Sequence, residues 1–375
     1  MQHPVNHIFE HTPDTLADWC ESVRMPRFRA GQILEWVYEK GVTDPSLMTS
    51  LSKADRDLLH SQVTFLSGEV LTHQLASDGT QKLLVQWTDG TRRDEGTIIE
   101  PDRPTLLRVL QPAVNDTRRQ TECVMIPTED RRTACISSQV GCPVGCKFCA
   151  SGMGGLDANL SAGRIVEQVY RLGRLPGVRR ISNVVFMGMG EPLSNMQNVI
   201  AAIRTISALW ALGISARKIT ISTVGLPKAI EKLSEQLDLP VTLALSLHAP
   251  NDEIRRTLIP WAEFTTIEDL LAACRKWFEK TGREITLEYT LLRGVNDRPE
   301  HAEQLAGLAR TLRANVNLIR YNEVRGTPFK RPETDDVRAF QQILTTRHIN
   351  THIRASRGRD IAAACGQLRH EHAGA

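Results

Sequence analysis

Apolar and polar positions fall into three regimes along this chain. Between residues 15 and 65 the apolar positions recur at helical spacing: Leu16, Trp19, Cys20 and Val23, then Ile33, Leu34, Trp36 and Val37. A basic turn, Arg24-Met25-Pro26-Arg27-Phe28-Arg29, separates the two groups. This predicts a small helical accessory domain over residues 1–66. Arg24, Arg27 and Arg29 are candidate phosphate contacts, and a solvated turn explains them equally well. From residue 68 the period shortens. Val70 to Gln74, Lys82 to Trp87 and Val124 to Ile126 predict short strands. Ser77-Asp78-Gly79-Thr80 and Thr88-Asp89-Gly90-Thr91 predict turns. Weakly periodic residues rich in Arg, Asp and Pro predict an insertion at about 91–119 inside a β-rich linker, 67–130.

The third regime alternates strand and helix patterns. Strands are expected at 133–138, 182–187, 217–222, 241–246, 284–291 and 316–321. Helices are expected at 161–173, 196–212, 226–237, 265–281, 299–313 and 334–347. Parallel strands need crossovers, so this alternation predicts a parallel sheet covered by helices. The expected fold class is α/β: an incomplete (β/α)6-type barrel over 131–348, followed by a C-terminal segment, 349–375. In such barrels chemistry gathers at the C-terminal ends of the strands.

Composition adds bounds. The chain has 375 residues, 41% of them hydrophobic, and a net charge of +3. A packed core is within reach, and any nucleic-acid surface must be local. Two stretches qualify. Arg164, Arg171, Arg174, Arg179 and Arg180 surround a single Glu167, and Arg347, Arg354, Arg357 and Arg359 precede Asp360. Solvated helix faces are the alternative explanation of both. Met1 to Pro13 lacks the pattern of a signal peptide, and no apolar run approaches the ~18 residues of a membrane span. Eight cysteines in this length are not a disulfide scaffold, so a reducing cytoplasm is expected.

The sharpest chemistry lies in Gly141-Cys142-Pro143-Val144-Gly145-Cys146-Lys147-Phe148-Cys149. Structural zinc takes four ligands. Three crowded thiolates can instead hold three irons of a four-iron cluster and leave the fourth open. Three reduced cysteines in a loop, or a zinc site completed by a distant His, are the alternatives. Other candidates also follow predicted strands: Met187-Gly188-Met189-Gly190-Glu191-Pro192, Ser222, Ser246-Leu247-His248 and Tyr321-Asn322. Glycines admit close backbone approach, and Glu191 can accept from an ammonium group. Taken singly, a strand-end serine is more often a turn or cap. Cys20, Cys123 and Cys274 read as buried small hydrophobes. Cys135 lies on the first barrel strand. Cys365 sits among Ala and Gly, where a reactive thiol and a packed one are equally expected.

The spacing CxxxCxΦC resembles the radical S-adenosylmethionine (SAM) superfamily, in which the open iron chelates the amino and carboxylate groups of SAM. Cys142, Cys146, Cys149, the Gly188-Met-Gly-Glu-Pro-Leu193 run, Ser246-Leu-His248 and Arg359-Asp-Ile-Ala-Ala-Ala-Cys-Gly-Gln-Leu368 stand in order. Together they resemble the RlmN/Cfr family of radical SAM methyltransferases acting on adenine in RNA, roughly from Leu16 to Leu368. Of the two branches, the C2-methylating one, acting on 23S rRNA and tRNA, resembles this chain more than the C8-methylating one. A zinc-bound RNA-binding protein without catalysis is the alternative from another class. The stretch at about 91–119 is longer than the family's usual link.

The resemblance implies a [4Fe-4S] cluster on Cys142, Cys146 and Cys149. It implies SAM among Gly190, Glu191, Ser222, Ser246, Leu247, His248 and Asn322, with two SAM per turnover. One methyl goes to Cys365. A 5′-deoxyadenosyl radical from the second SAM activates that methyl, which adds to adenine C2 and crosslinks protein to RNA. Glu122 acts as base, and Cys135 attacks Cys365 sulfur, releasing product and leaving a disulfide. Radical chemistry suits the target, because adenine C2 is electron-poor and cannot displace a methyl from SAM directly. The expected partners are RNA and an electron donor such as flavodoxin or ferredoxin. No membrane is expected, and the protein should be a monomer.

Overall fold

In the computed structural model, residues 1–88 and 119–368 are described, so the expected insertion lies almost entirely outside the described residues. Ten strands among these residues form one sheet, in the order β1-β2-β3-β4-β7-β8-β9-β10-β11-β12. Its first part is an antiparallel meander: β1 (Gly68–Leu75), β2 (Gln81–Trp87), β3 (Gln120–Pro127) and β4 (Arg132–Cys135). From β4 the sheet turns parallel through β7 (Asn183–Phe186), β8 (Ile219–Thr223), β9 (Thr242–Ser246), β10 (Ile285–Leu291), β11 (Ala314–Arg320) and β12 (Thr351–Arg354). β5 (Gln139–Gly141) and β6 (Leu156–Asn159) pair separately and flank the cysteine loop.

The six expected barrel strands coincide with β4, β7, β8, β9, β10 and β11, and β12 adds a parallel strand beyond them. The crossovers run through α4 (Ala162–Leu172), α5 (Met196–Ser207), α6 (Pro227–Gln236), α8 (Ile267–Thr281), α9 (Pro299–Arg310) and α10 (Thr334–Thr346). A further short helix, α7 (Asp252–Leu258), precedes α8. Local signals set these ends. Thr266 and Asp269 form a reciprocal capping box at the start of α8, and Gly282, at φ +64°, closes it in the left-handed conformation.

The accessory helices are α1 (Pro13–Ser22), α2 (Arg29–Leu34) and α3 (Lys53–Gln62). Ile8, Phe9, Leu16, Cys20, Ile33 and Val37 belong to the same hydrophobic core as the barrel. Phe9 bridges the two, with its ring 5.9 Å from Tyr38 and 4.9 Å from Tyr170 of α4. α4 is accordingly buried all round, at ten of its eleven residues. No described helix is long and apolar enough to cross a membrane.

The two arginine stretches fare differently from expectation. Arg164 is fully buried. It donates to the carbonyls of Gln2 and Thr88 and faces the Trp87 ring. Arg171 pairs with Glu167 at 2.7 Å, and Arg174 lies on Tyr170 and donates to Val37 O. These three tie the accessory segment to the barrel. Arg164 and Arg171 are not a surface for RNA, because their donors are committed to protein acceptors, whereas Arg174, Arg179 and Arg180 are exposed. Arg27 is exposed between Asp18 and Glu21, and Arg29 pairs with Asp55.

Candidate active site

The cysteine loop leaves β5 through Gly141, at φ +76°. A Cβ there would meet Gly155 O at 2.0 Å, so glycine is required by the β5–β6 pairing itself. The loop is then pinned by backbone bonds: Cys142 N–H to Gly155 O, Lys147 N–H to Leu258 O and Cys149 N–H to Cys146 O. Val144 and Phe148 pack with Val224, Leu258, Ile259 and Tyr321, giving the three half-buried thiols an apolar surround. Among the described residues, no three His, Cys, Asp or Glu side chains converge on one point as a single ion requires. In a four-iron cluster each thiolate takes a different iron, so the sulfurs need only ring a common space. Cys142, Cys146 and Cys149 do line one cavity, of about 940 Å³. This donor set of three soft thiols fits an iron–sulfur cluster.

The same cavity is lined by Gly190, Glu191, Ser222, Ser246, His248 and Asn322. Gly190 has φ +108°, and a Cβ would lie 2.7 Å from Ser138 Oγ. The strand-end glycine therefore serves close packing on the β4–β5 connection. Glu191 is buried and accepts from the main-chain N–H groups of Leu193 and Val224. Burial pushes its pKa up, against those two bonds. A carboxylate has about four acceptor sites, so it retains capacity toward the cavity. Ser222 and Ser246 hydroxyls meet at 3.1 Å. His248 has a left-handed backbone, φ +57°, and its Nδ1 accepts from Thr290 N–H. Burial pushes its pKa down to about 3, so the ring is neutral with its proton on Nε2. Leu247, expected among these contacts, does not line the cavity. It is fully buried in the core, because its neighbours on the strand end take the cavity-facing positions.

Cys365 lines this cavity and also a second one, of about 630 Å³, which Cys135 lines. The methyl-carrier candidate thus stands between the space ringed by the cluster cysteines and the candidate resolving thiol. Both are free thiols here. Cys365 is exposed on the cavity wall and Cys135 is buried; desolvation raises their pKa values to about 11 and about 12, and Arg354 opposes both shifts. Arg354 lines both cavities and pairs with buried Glu288 at 3.3 Å. It is therefore a cavity residue, where sequence suggested an RNA contact.

Glu122 lines neither cavity. It is buried on β3 and pairs with Lys82 Nζ at 2.6 Å, and that ammonium also donates to Ala362 O of the terminal segment. Sequence reasoning missed Arg354's position, Lys82 and Asn296. The last is fully buried and donates to His248 O and Thr290 O while accepting from Leu292 N–H. Its place in a tight turn after β10 was the available signal.

A strand-end cavity ringed by three cysteines on a partial parallel barrel defines a radical SAM protein. The Radical SAM superfamily model matches residues 136–306, and the Ribosomal RNA large subunit methyltransferase N-terminal domain matches residues 6–64. A "Probable dual-specificity RNA methyltransferase RlmN" of Rhodopirellula baltica is 40% identical over 97% of this chain and 91% of its own length. One of Gloeobacter violaceus bearing the same description is 42% identical over 96% and 94%. The crystal structure of a radical SAM methyltransferase from Sphaerobacter thermophilus superposes with a TM-score of 0.87 at 38% identity, covering 98% of this chain and all of the other. The chain belongs to the RlmN family of radical SAM RNA methyltransferases.

Proposed function

We propose that this enzyme methylates C2 of adenine in 23S rRNA and in tRNA, using two SAM per turnover and an S-methylated Cys365 as carrier. The observation that carries the reading is Cys365 on the wall shared by two cavities, one with Cys142, Cys146 and Cys149 and the other with Cys135. The RlmN-type N-terminal match and the RlmN relatives favour C2 over the C8 alternative.

Cys142, Cys146 and Cys149 hold the [4Fe-4S] cluster. When bound, the cluster supplies one electron, and SAM supplies the methyl group and a hydrogen-abstracting radical. Glu191, Ser222, Ser246, neutral His248 and Asn322 hold SAM by hydrogen bonds, and Gly190 keeps the strand-end loop close-packed beside it. Arg354 favours the thiolate of Cys365, the ordinary sulfur nucleophile for methyl transfer. Glu122 accepts the C2 proton of the target base. Since Glu122 is paired behind the terminal segment in this state, it must exchange that partner for the base. Cys135 thiolate attacks the Cys365 sulfur, forming the S–S bond as the S–CH2 bond to adenine breaks; the freed carbon takes the electron pair and a proton to become the methyl group, and the disulfide is reduced before the next turnover. The target adenine is unstacked to enter the cavity, at a cost of a few kcal/mol that is least in loops. Flavodoxin or ferredoxin serves as electron donor to a cytoplasmic monomer.

The test separates the two thiols. Cys365→Ala abolishes self-methylation, RNA methylation and crosslinking. Cys135→Ala still loads methyl on Cys365, then stalls as a covalent protein–RNA adduct seen by mass spectrometry. A Cys365→Ala enzyme that still methylates C2, or a freely cycling Cys135→Ala enzyme, overturns the assignment.

A further inference from the structure

The segment that carries Cys365 has little regular structure of its own, yet it docks at defined points. The tip of the β1–β2 hairpin provides two of them. Asp78 Oδ2 accepts from Gly358 N–H at 3.0 Å, and Asp360 Oδ2 accepts from Ser77 N–H at 2.9 Å. The two bonds are reciprocal, each side giving one main-chain donor and one carboxylate. Asp78 also organises its own turn, since Oδ1 accepts from Thr80 N–H at 3.0 Å. Gly358 sits at φ +63°, and a Cβ there would come within 2.8 Å of Thr80 Cγ2 and 2.9 Å of Ala363 Cβ. Hairpin and strap are therefore fitted to each other at this spot. A few residues on, Lys82 Nζ holds Ala362 O, Ala150 N–H holds Gly366 O, and Asn322 Nδ2 holds Cys365 O.

We propose that Asp78 is a positioning residue for Cys365, docking the strap through Gly358 so that the thiol stands on the wall shared by the two cavities. The strap is fixed at its start by Asp78 and past Cys365 by the cluster loop, and the thiol lies between these anchors. Hydrogen bonds to a carboxylate are the stronger kind. Losing this one leaves the barrel core untouched, because Asp78 is at a half-exposed turn. This rests on the reading of Cys365 as methyl carrier, but the docking itself is measurable without it.

The experiment compares Asp78→Ala and Asp78→Asn in the reconstituted enzyme. Asn keeps one acceptor oxygen where Asp uses two, so it should restore part of the effect. Deuterium uptake of the peptide spanning 356–368 should rise in Asp78→Ala, with an intermediate rise in Asp78→Asn. Iron content and KM for SAM should match the wild type, while kcat and the rate of S-methyl loading on Cys365 fall about tenfold. Wild-type deuterium uptake in Asp78→Ala, or a fall in iron content as large as the fall in rate in both variants, overturns the proposal. Raised uptake with unchanged kcat leaves docking intact and removes its role in positioning. If Cys365→Ala still methylates RNA, the carrier reading fails while the uptake result stands.

Discussion

Arg164–Arg180 and Arg347–Arg359 look alike in sequence, both arginine-rich with few acids, yet the fold uses their inward-facing arginines differently. In the first, Arg164 and Arg171 are turned inward, while Arg174, Arg179 and Arg180 stay exposed. Glu167 is fully buried among Ser67 N–H, Ser67 Oγ, Gly68 N–H, Arg171 and His7. Charge here is structural mortar between the accessory helices and α4. In the second, Arg354 points to the cavities, Arg359 is exposed on the strap and Arg347 is spent on Glu303. Charge density along a chain does not say which side of the surface it ends on. Burial of the neighbouring apolar positions decides it.

The largest test of this contrast is Glu167→Ala. Removing one partner from a buried charge network should cost about 3–5 kcal/mol, read as a drop in Tm. Burial pushes the Glu167 pKa up, but His7, Arg171 and Ser67 hold it down at about 2, below the ordinary glutamate value of 4.5. Its contribution is thus present above pH 4.5 and lost as pH falls toward 2. The wild-type Tm should fall through that window more steeply than that of the variant. Equal slopes would place the carboxylate outside the stability balance.

Next comes Arg354→Met, which removes the cation facing both thiols. S-methyl loading of Cys365, followed by mass spectrometry, should slow about tenfold. Arg354→Lys should recover part of the rate, and a wild-type loading rate in Arg354→Met would break the cavity assignment. A smaller effect is expected for Arg357→Ala with Arg359→Ala. RNA binding should weaken across sequences, with the salt slope reduced by roughly one unit per lost phosphate contact. The smallest is Arg347→Ala. Its exposed pair with Glu303 should contribute little to stability, with no resolvable change in Tm and RNA affinity unchanged. A large affinity loss there would restore Arg347 to the RNA surface.

Much of the barrel was legible because six strands and six helices each carry their own periodic signal. β12 escaped because Thr351–Arg354 is four residues long and half-buried, with too little alternation to register. α7 escaped because seven residues after the Asn251 cap span only two turns. The cysteine loop and the rim residues were legible from their order along the chain. Leu247 was carried along with its neighbours in the Ser-Leu-His run, although strand alternation sends its side chain to the core. The Glu122–Lys82 pair was not legible, since cross-strand partners appear only when β2 and β3 are in register. Nor was Asp78 with Gly358, which lie 280 positions apart.

That separation bears on how the protein is made. Domains fold as they are synthesised, early segments first, so the β1–β2 hairpin exists long before the strap that fits it. Closing so long a loop is entropically slow and comes late. The barrel with its cysteine loop can therefore be complete while the carrier thiol is still absent. If Cys365 carries the methyl group as proposed, newly made molecules pass through a stage with the cysteine loop in place and the acceptor thiol not yet docked. On that reading, the catalyst is complete only when this last strap has docked.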